Sequence, residues 1–234
     1  MARISKLARR ELRAFWNLLD KRDLVAARKE LEEFFPALVQ AYGDAAATIS
    51  ADWFEELTGD AAFLGDDVNE ERANAKMRWA IGAGFDGDLT QAISTLEMVA
   101  DELVKQFGRD TIVNSSAGHG RRFARVPVGE TCNWCIMMGS RGFVYSSAAA
   151  AGGLSRWHGG DCDCQVIPED GTIPKGYDPD ELYEKYEKAR ETEPQDLLNR
   201  DEMTEAEYEK RLKYLTGDDD NAIAARMRAM YGGD

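Results

Sequence analysis

The sequence predicts an α+β protein that is mainly α-helical, and three observations lead to this fold class. The first hundred or so residues carry apolar side chains at helical spacing among charged ones. From residue 121 the chain changes to short β-prone runs bounded by glycine and proline. Beyond about residue 175 it is polar and helical again. We therefore expect a helical region over 1–117, a small cysteine- and histidine-bound α+β module over 118–175, and a charged helical tail over 176–234.

The helical region begins with two amphipathic segments. The first is "ISKLARRELRAFWNL", and the second, "DLVAARKELEEFF", is expected to end at Pro36, because proline suits the first turn of a following helix. The next helix carries an apolar stripe at alternating steps of three and four residues, which is typical of a coiled coil: Val39, Tyr42, Ala46, Ile49 and Trp53.

Further helices and three short strands follow. "NEERANAKMRWAIG" predicts a helix that breaks at "GAGFDG", and Asp88 predicts the N-cap of a long helix that ends near Ser115. The runs "RFARVPV", "GFVYSS" and "CDCQVIP" predict a small sheet with the cysteines at its turns. In the tail, Asp178 opens one helix, and Thr204 with Glu207 forms a capping box for the next. These tail helices have few apolar residues, so we expect them to pack on the main body or on a partner.

The composition is that of a globular protein that does not cross a membrane. Hydrophobic residues make up 44% of the chain and charged residues 31%. No apolar run approaches the ~20 residues that span a bilayer, and the basic N-terminus lacks the apolar core of a signal peptide. We therefore expect synthesis in a reducing cytoplasm, where cysteine pairs bind metal more often than they form disulfides.

The charge of the chain is unevenly distributed. A net charge of −14 argues against a general nucleic-acid binder, because a phosphate backbone repels it. Residues 1–30 nevertheless hold nine Lys/Arg against four Asp/Glu, whereas residues 31–120 hold five against seventeen. Residues 121–156 are basic again, with five arginines against Glu130. Such blocks indicate surfaces for different partners, or alternatively the solvated faces of helices.

Five of the six cysteine and histidine residues lie within 33 positions of the chain. They follow the pattern C-x2-C, twenty-two residues, H-x3-C-x-C, formed by Cys132, Cys135, His158, Cys162 and Cys164. A zinc ion takes four such ligands, so either four thiolates or three thiolates and the histidine would complete a site. We expect a structural zinc that stabilises a module too small for a large core. Two disulfides or four reduced thiols are the alternatives.

Arginines surround the cysteine pattern, at positions 121, 122, 125, 141 and 156. They predict a local basic face for the phosphates of DNA or for an acidic partner, with Arg121, Arg122, Arg125 and Arg141 as the candidate contacts. The alternative is that they pair with the acidic helices of the same chain.

Several of these segments resemble one family. "GRDTI" at 108–112, "RFARVPVGETCNWCIMMGSRGFVYSS" at 122–147 and "RWHGGDCDCQVIPEDG" at 156–171 are similar to the MuF-like minor capsid proteins of tailed phages that infect actinobacteria. "RWAIG" at 78–82 and "YDPDELYEKY" at 177–186 also resemble that family. The family commonly has two residues between the histidine and the C-x-C pair, whereas this chain has three, which favours the four-cysteine version of the site.

The resemblance implies a low-copy head protein in the capsid interior or at the portal vertex, assembled in the host cytoplasm, with the portal or major capsid protein as partner. It implies no enzymatic activity, and no Walker loop, GxSxG or HExxH motif is present. Two other functions are alternatives. One is an enzyme carried in the head, nuclease-like or ADP-ribosyltransferase-like, with Arg125, Ser146 and Glu169 as candidate residues of the latter. The other is an assembly factor absent from finished particles.

Overall fold

A computed structural model of the chain describes residues 2–128, 132–151, 164–170 and 173–232. These residues form nine α-helices, two β-strands and two short 3-10 turns. In chain order the elements are α1 (Ala2–Leu18), α2 (Leu24–Thr58), α3 (Glu70–Ala80), α4 (Gly82–Phe85), α5 (Leu89–Gly118), β1 (Phe123–Val126), α6 (Asn133–Gly139), β2 (Gln165–Pro168), α7 (Pro179–Glu191), α8 (Glu205–Leu215) and α9 (Asp220–Tyr231). The predicted fold class, mainly α with a small β component, is confirmed.

The described residues divide into two compact units. Helices α1 to α5 form the first, together with residues 147–149, and the remaining elements form the second. In the second unit, the helices of the predicted tail pack on the cysteine-containing module, since α6 contacts both α7 and α9. No helix among the described residues is long and apolar enough to cross a membrane.

The first unit is organised around α5, which packs against α1, α2 and α3. Its core contains fully buried leucine, phenylalanine and methionine side chains from four helices: Leu12, Leu31, Phe35, Met77 and Leu96. Helices α2 and α5 pack closely at Gly43, where an added Cβ would lie 2.6 Å from the ring of Phe107. Gly43 therefore fixes the distance between these two helices.

The predicted end of a helix at Pro36 is wrong, because α2 runs without a break from Leu24 to Thr58. Proline has no N–H, so it cannot donate to the carbonyl four residues earlier. In this helix that carbonyl belongs to Glu32, and the side-chain amide of Asn74 in α3 donates to it at 3.1 Å. A residue from another helix thus supplies the hydrogen bond that Pro36 cannot make.

The helix caps predicted from short motifs are confirmed. The carboxylate of Asp88 accepts from the N–H of Gln91 at the start of α5. Thr204 and Glu207 form the reciprocal capping box that opens α8. Asp178 accepts from two N–H groups in the first turn of α7. Each cap satisfies N–H groups that have no partner inside the helix.

The sheet of the second unit has two antiparallel strands among the described residues. β1 pairs with β2 so that Phe123 lies opposite Pro168 and Val126 opposite Gln165. The run "GFVYSS", predicted as a third strand, contributes a single bridge between Tyr145 and Phe123. This strand prediction is therefore wrong beyond that one contact.

A buried arginine joins the three C-terminal helices. Arg226 in α9 donates from Nε to the carbonyl of Ala189 in α7 at 2.8 Å. Its Nη1 donates to the carbonyls of Leu215 and Gly217, at 2.7 and 2.8 Å, at the end of α8. Carbonyls at helix C-termini have no helical donor, so Arg226 satisfies the ends of two helices at once.

Candidate functional site

The cysteines that the structure describes lie at the ends of short elements in the second unit. Cys132 is the N-cap residue of α6, and Cys135 lies one turn into that helix. Cys164 directly precedes β2, beside the end of β1, because Val126 pairs with the next residue, Gln165. Cys135 and Cys164 are buried and Cys132 is partly buried. The pairing of β1 with β2 therefore places Cys164 in the same small unit as Cys132 and Cys135.

A fully buried arginine borders Cys135. The side chain of Arg125 in β1 has no exposed surface. Its guanidinium donates to the carbonyl of Ala151 at 2.9 Å and contacts the Sγ of Cys135 at 3.9 Å. A buried cation next to sulfur stabilises a thiolate, which is the form that binds metal. The surroundings of Cys135 therefore suit an anionic sulfur centre.

Two tyrosines hold the end of α6 in place. Tyr145 donates from its hydroxyl to the carbonyl of Met138 at 2.7 Å, and Tyr177 donates to the carbonyl of Gly139 at 2.5 Å. Burial raises the pKa of Tyr145 to about 12, and burial also raises the pKa of Tyr177. Both hydroxyls therefore remain protonated donors over the whole physiological range. A Cβ on Gly139 would lie 2.8 Å from Pro127, so only glycine fits there.

The predicted metal site lies only partly within the described residues. Of the five candidate ligands, His158 and Cys162 fall outside them, whereas Cys132, Cys135 and Cys164 fall within. In the ranges that the structure covers, no group of three or more Cys, His, Asp or Glu side chains is placed to hold a metal ion. The zinc site therefore stays a prediction that depends on residues of the 152–163 segment.

The arginines predicted to contact DNA have partners within the chain. Arg121 forms an ion pair with Asp60 at 2.7 Å, and Arg141 pairs with Asp220 at 3.1 Å. Arg122 donates to a main-chain carbonyl at 3.2 Å. For Arg125 the prediction of a DNA contact is wrong, because a side chain buried against Cys135 cannot reach a phosphate. For Arg121 and Arg141 the alternative, pairing within the same chain, is what the structure shows.

The residues proposed for an ADP-ribosyltransferase do not share a surface. Arg125 is buried, whereas Ser146 and Glu169 are exposed. A ligand that touched the serine and the glutamate from solvent would not reach the arginine.

Sequence reasoning did not find the buried polar residues of the first unit. Asp101 in α5 is almost fully buried, accepts from the hydroxyl of Ser5 and pairs with Lys105. Asp110 lies under the loop before α3, and burial raises its pKa to about 6. In the sequence, Asp101 lies between the apolar residues Ala100 and Val104. An acidic residue at such a position is the only sequence signal that its side chain is buried.

Comparison with known proteins identifies a family and a relative. The family model described as VG15 protein matches residues 1–189. The Gene 15 protein of Mycobacterium phage L5 is 28% identical, in an alignment that covers 59% of this chain and 63% of that protein. The chain thus spans less than two thirds of the relative's length. No solved structure matches the chain. These findings indicate a phage protein, as the sequence predicts, while the narrower MuF-like assignment stays a prediction.

Proposed function

The chain belongs to the VG15 protein family, and we propose that it is a minor head protein of a tailed phage. In this proposal a few copies lie inside the capsid or at the portal vertex, bound to the portal protein, the major capsid protein or both. They act by binding, in head assembly or in the packaging and ejection of the genome. The phage origin of the relative and the likeness of several motifs to MuF-like minor capsid proteins support the proposal.

One structural observation carries this proposal. Several residues of the segments that resemble the MuF-like motifs belong to the framework of the two units. Arg109 and Ile112 of "GRDTI" are buried in α5, Arg125 of "RFARVP" is buried in β1, and Tyr145 of "GFVYSS" is buried against α6. Because these side chains build the interior, the resemblance concerns the architecture. It supports a structural protein that presents its surface to neighbours in the head.

We propose in addition that the second unit contains a structural zinc, with Cys132, Cys135, Cys162 and Cys164 as ligands. Zinc tethers the segments that its ligands lie on and adds stability to a unit with little sheet. The position of Arg125 supports this site, since four thiolates around Zn²⁺ leave an excess of negative charge. The guanidinium offsets part of that charge and donates to one of the sulfurs.

The function can be tested by quantitative mass spectrometry of purified virions, with copies of this chain counted relative to the portal and major capsid proteins. We expect a low and reproducible copy number that does not exceed the number of portal subunits. A host cytoplasmic protein measured in the same particles provides the control for carry-over. Abundance in the infected-cell lysate together with absence from finished particles would contradict the proposal and favour an assembly factor.

A further inference from the structure

Helices α1 and α2 of the first unit lie side by side in antiparallel directions. The hydroxyl of Tyr42 donates to the carboxylate of Glu11 at 2.5 Å. Nearer the start of α1, Ile4 and Ala8 pack against Ala46, one turn further along α2. Residue numbers thus rise along α2 as they fall along α1. These contacts define which side of each helix borders the other.

An exposed leucine lies on the side of α1 that borders α2. Leu7 is three residues after Ile4 and four before Glu11, so it lies on the same side of the helix as these two contacts. Its side chain is nevertheless 52% exposed. Leu7 therefore lies at the outer margin of the junction between the helices.

Two exposed apolar residues continue the corresponding line on α2. Ile49 and Trp53 follow Tyr42 and Ala46 at the spacing predicted for a coiled-coil stripe. The first part of that stripe is covered by α1, whereas Ile49 is 51% exposed and Trp53 is 38% exposed. We call the surface formed by Leu7, Ile49 and Trp53 the α1–α2 seam. Exposed apolar side chains of this size are typical of an interface.

Cations border the seam on the side of α1. Arg3 and Arg10 lie four residues before and three residues after Leu7, which places them on the adjacent, outward side of the helix. Both are exposed, and neither makes an ion pair with any residue that the structure describes. Arg13, by contrast, pairs with α5. The outer cations are therefore available to another molecule.

Acidic residues border the seam on the side of α2. Asp52 is three residues after Ile49 and Glu56 is three after Trp53, a step that turns about 60° around the helix, away from α1. Both are exposed, and neither forms an ion pair within the described part of the chain. The seam therefore has an apolar centre, a cationic edge on α1 and an acidic edge on α2.

We propose that the α1–α2 seam is the contact between two copies of this chain, related by a two-fold axis that passes near Ile49 and Trp53. A rotation of 180° about such an axis places the cationic edge of one copy against the acidic edge of the other. It also places the apolar centre on its own counterpart, so a single surface satisfies both partners. A different partner would have to present its own cationic and acidic edges in this arrangement, whereas a second copy already has them.

Sedimentation equilibrium of the full chain over a range of concentrations tests the proposal. We expect a monomer–dimer equilibrium, and we expect Trp53→Ala to weaken the association at least about tenfold, because a central tryptophan contributes much of the energy of an interface. Trp79→Ala is the matched control, since Trp79 is 65% exposed on α3 and lies outside the seam. The proposal would be overturned if the chain stays monomeric at every concentration. It would also be overturned if Trp53→Ala and Trp79→Ala weaken the association equally.

A charge exchange tests the two-fold arrangement. Arg3→Glu or Glu56→Lys alone places like charges on facing edges, so each should weaken the dimer severalfold. The double variant restores opposite charges and should recover most of the association. Helix dipoles favour acidic residues near the start of α1 and basic residues near the end of α2, so neither change should unfold its helix, which circular dichroism can verify. If the double variant loses as much association as the two single variants combined, this pairing is ruled out.

Discussion

The side-chain amide of Gln106 donates a hydrogen bond to the carboxyl group of Asp110, 2.7 Å away, from one turn earlier in α5. This bond, together with Arg109 and Arg72, favours the ionised carboxylate, but the cost of burial is larger and raises the pKa of Asp110 to about 6. At neutral pH the first unit therefore contains a partly buried carboxylate whose neutral form the fold would favour.

Asp110→Asn should raise the free energy of unfolding at pH 7 by about 1 to 3 kcal/mol. The native pKa exceeds the ordinary value of 3.8, so the native carboxyl binds its proton more tightly. The stabilisation that the protonated carboxyl of Asp110 gives to the native state is thus present below about pH 4 and is lost as the pH rises toward 6. Urea denaturation at several pH values should show a difference between the two proteins that grows from pH 4 to pH 6 and is constant above it. A difference that does not change with pH would contradict this account.

The hydrogen bond from Asn74 to the carbonyl of Glu32 should be coupled to Pro36. Asn74→Ala leaves that carbonyl without a donor and should cost about 1–2 kcal/mol of stability. In a Pro36→Ala background, the N–H of the alanine can donate to the same carbonyl, so Asn74→Ala should cost less. A double-mutant cycle measured by chemical denaturation gives the coupling energy. Equal costs in both backgrounds would show that the bond is not specific to the proline.

Arg226→Met should loosen the three C-terminal helices. The arginine donates to carbonyls at the ends of α7 and α8, and the variant leaves these carbonyls without that donor. Hydrogen exchange should become faster in residues 179–231, with a loss of about 2–4 kcal/mol in local stability. Arg228→Met is the control, because Arg228 is exposed on the same helix. Similar exchange rates in the two variants would argue against the role of Arg226.

Purified protein prepared under reducing conditions should contain one zinc ion per chain, measured by mass spectrometry of the metal. Cys135→Ser and Cys164→Ser should each abolish binding, and a chelator should destabilise the second unit. His158→Ala should retain the metal if four cysteines are the ligands, and His119→Ala provides a matched control in the first unit. Metal-free protein with reduced thiols after this preparation would contradict the site.

The local part of the fold could be predicted from the sequence. The N-cap side chains accept hydrogen bonds from N–H groups no more than three residues later, as Asp88, Asp178 and Thr204 do. A short sequence motif is therefore enough to predict these caps. Pro36 is different, because its tolerance within α2 depends on Asn74, which lies in another helix. No local pattern connects these two positions.

The candidate site was predictable to a similar degree. The spacing of Cys132, Cys135 and Cys164 indicated one module, and the structure places all three in the second unit. The role of Arg125 could not be predicted in this way, since arginine is normally exposed. Its burial follows from the pairing of β1 with β2 and from the position of α6, neither of which a single sequence reveals.

The division of the chain into two units has a consequence for the order in which they fold. Almost all of the first unit comes from residues 2–121, so it can form on the ribosome once α5 has left the exit tunnel. The sheet of the second unit must wait, because Val126 pairs with Gln165 and that loop has to close first. A nascent chain therefore displays a finished helical unit, with α1 and α2 in place, while its cysteines are still emerging from the exit tunnel.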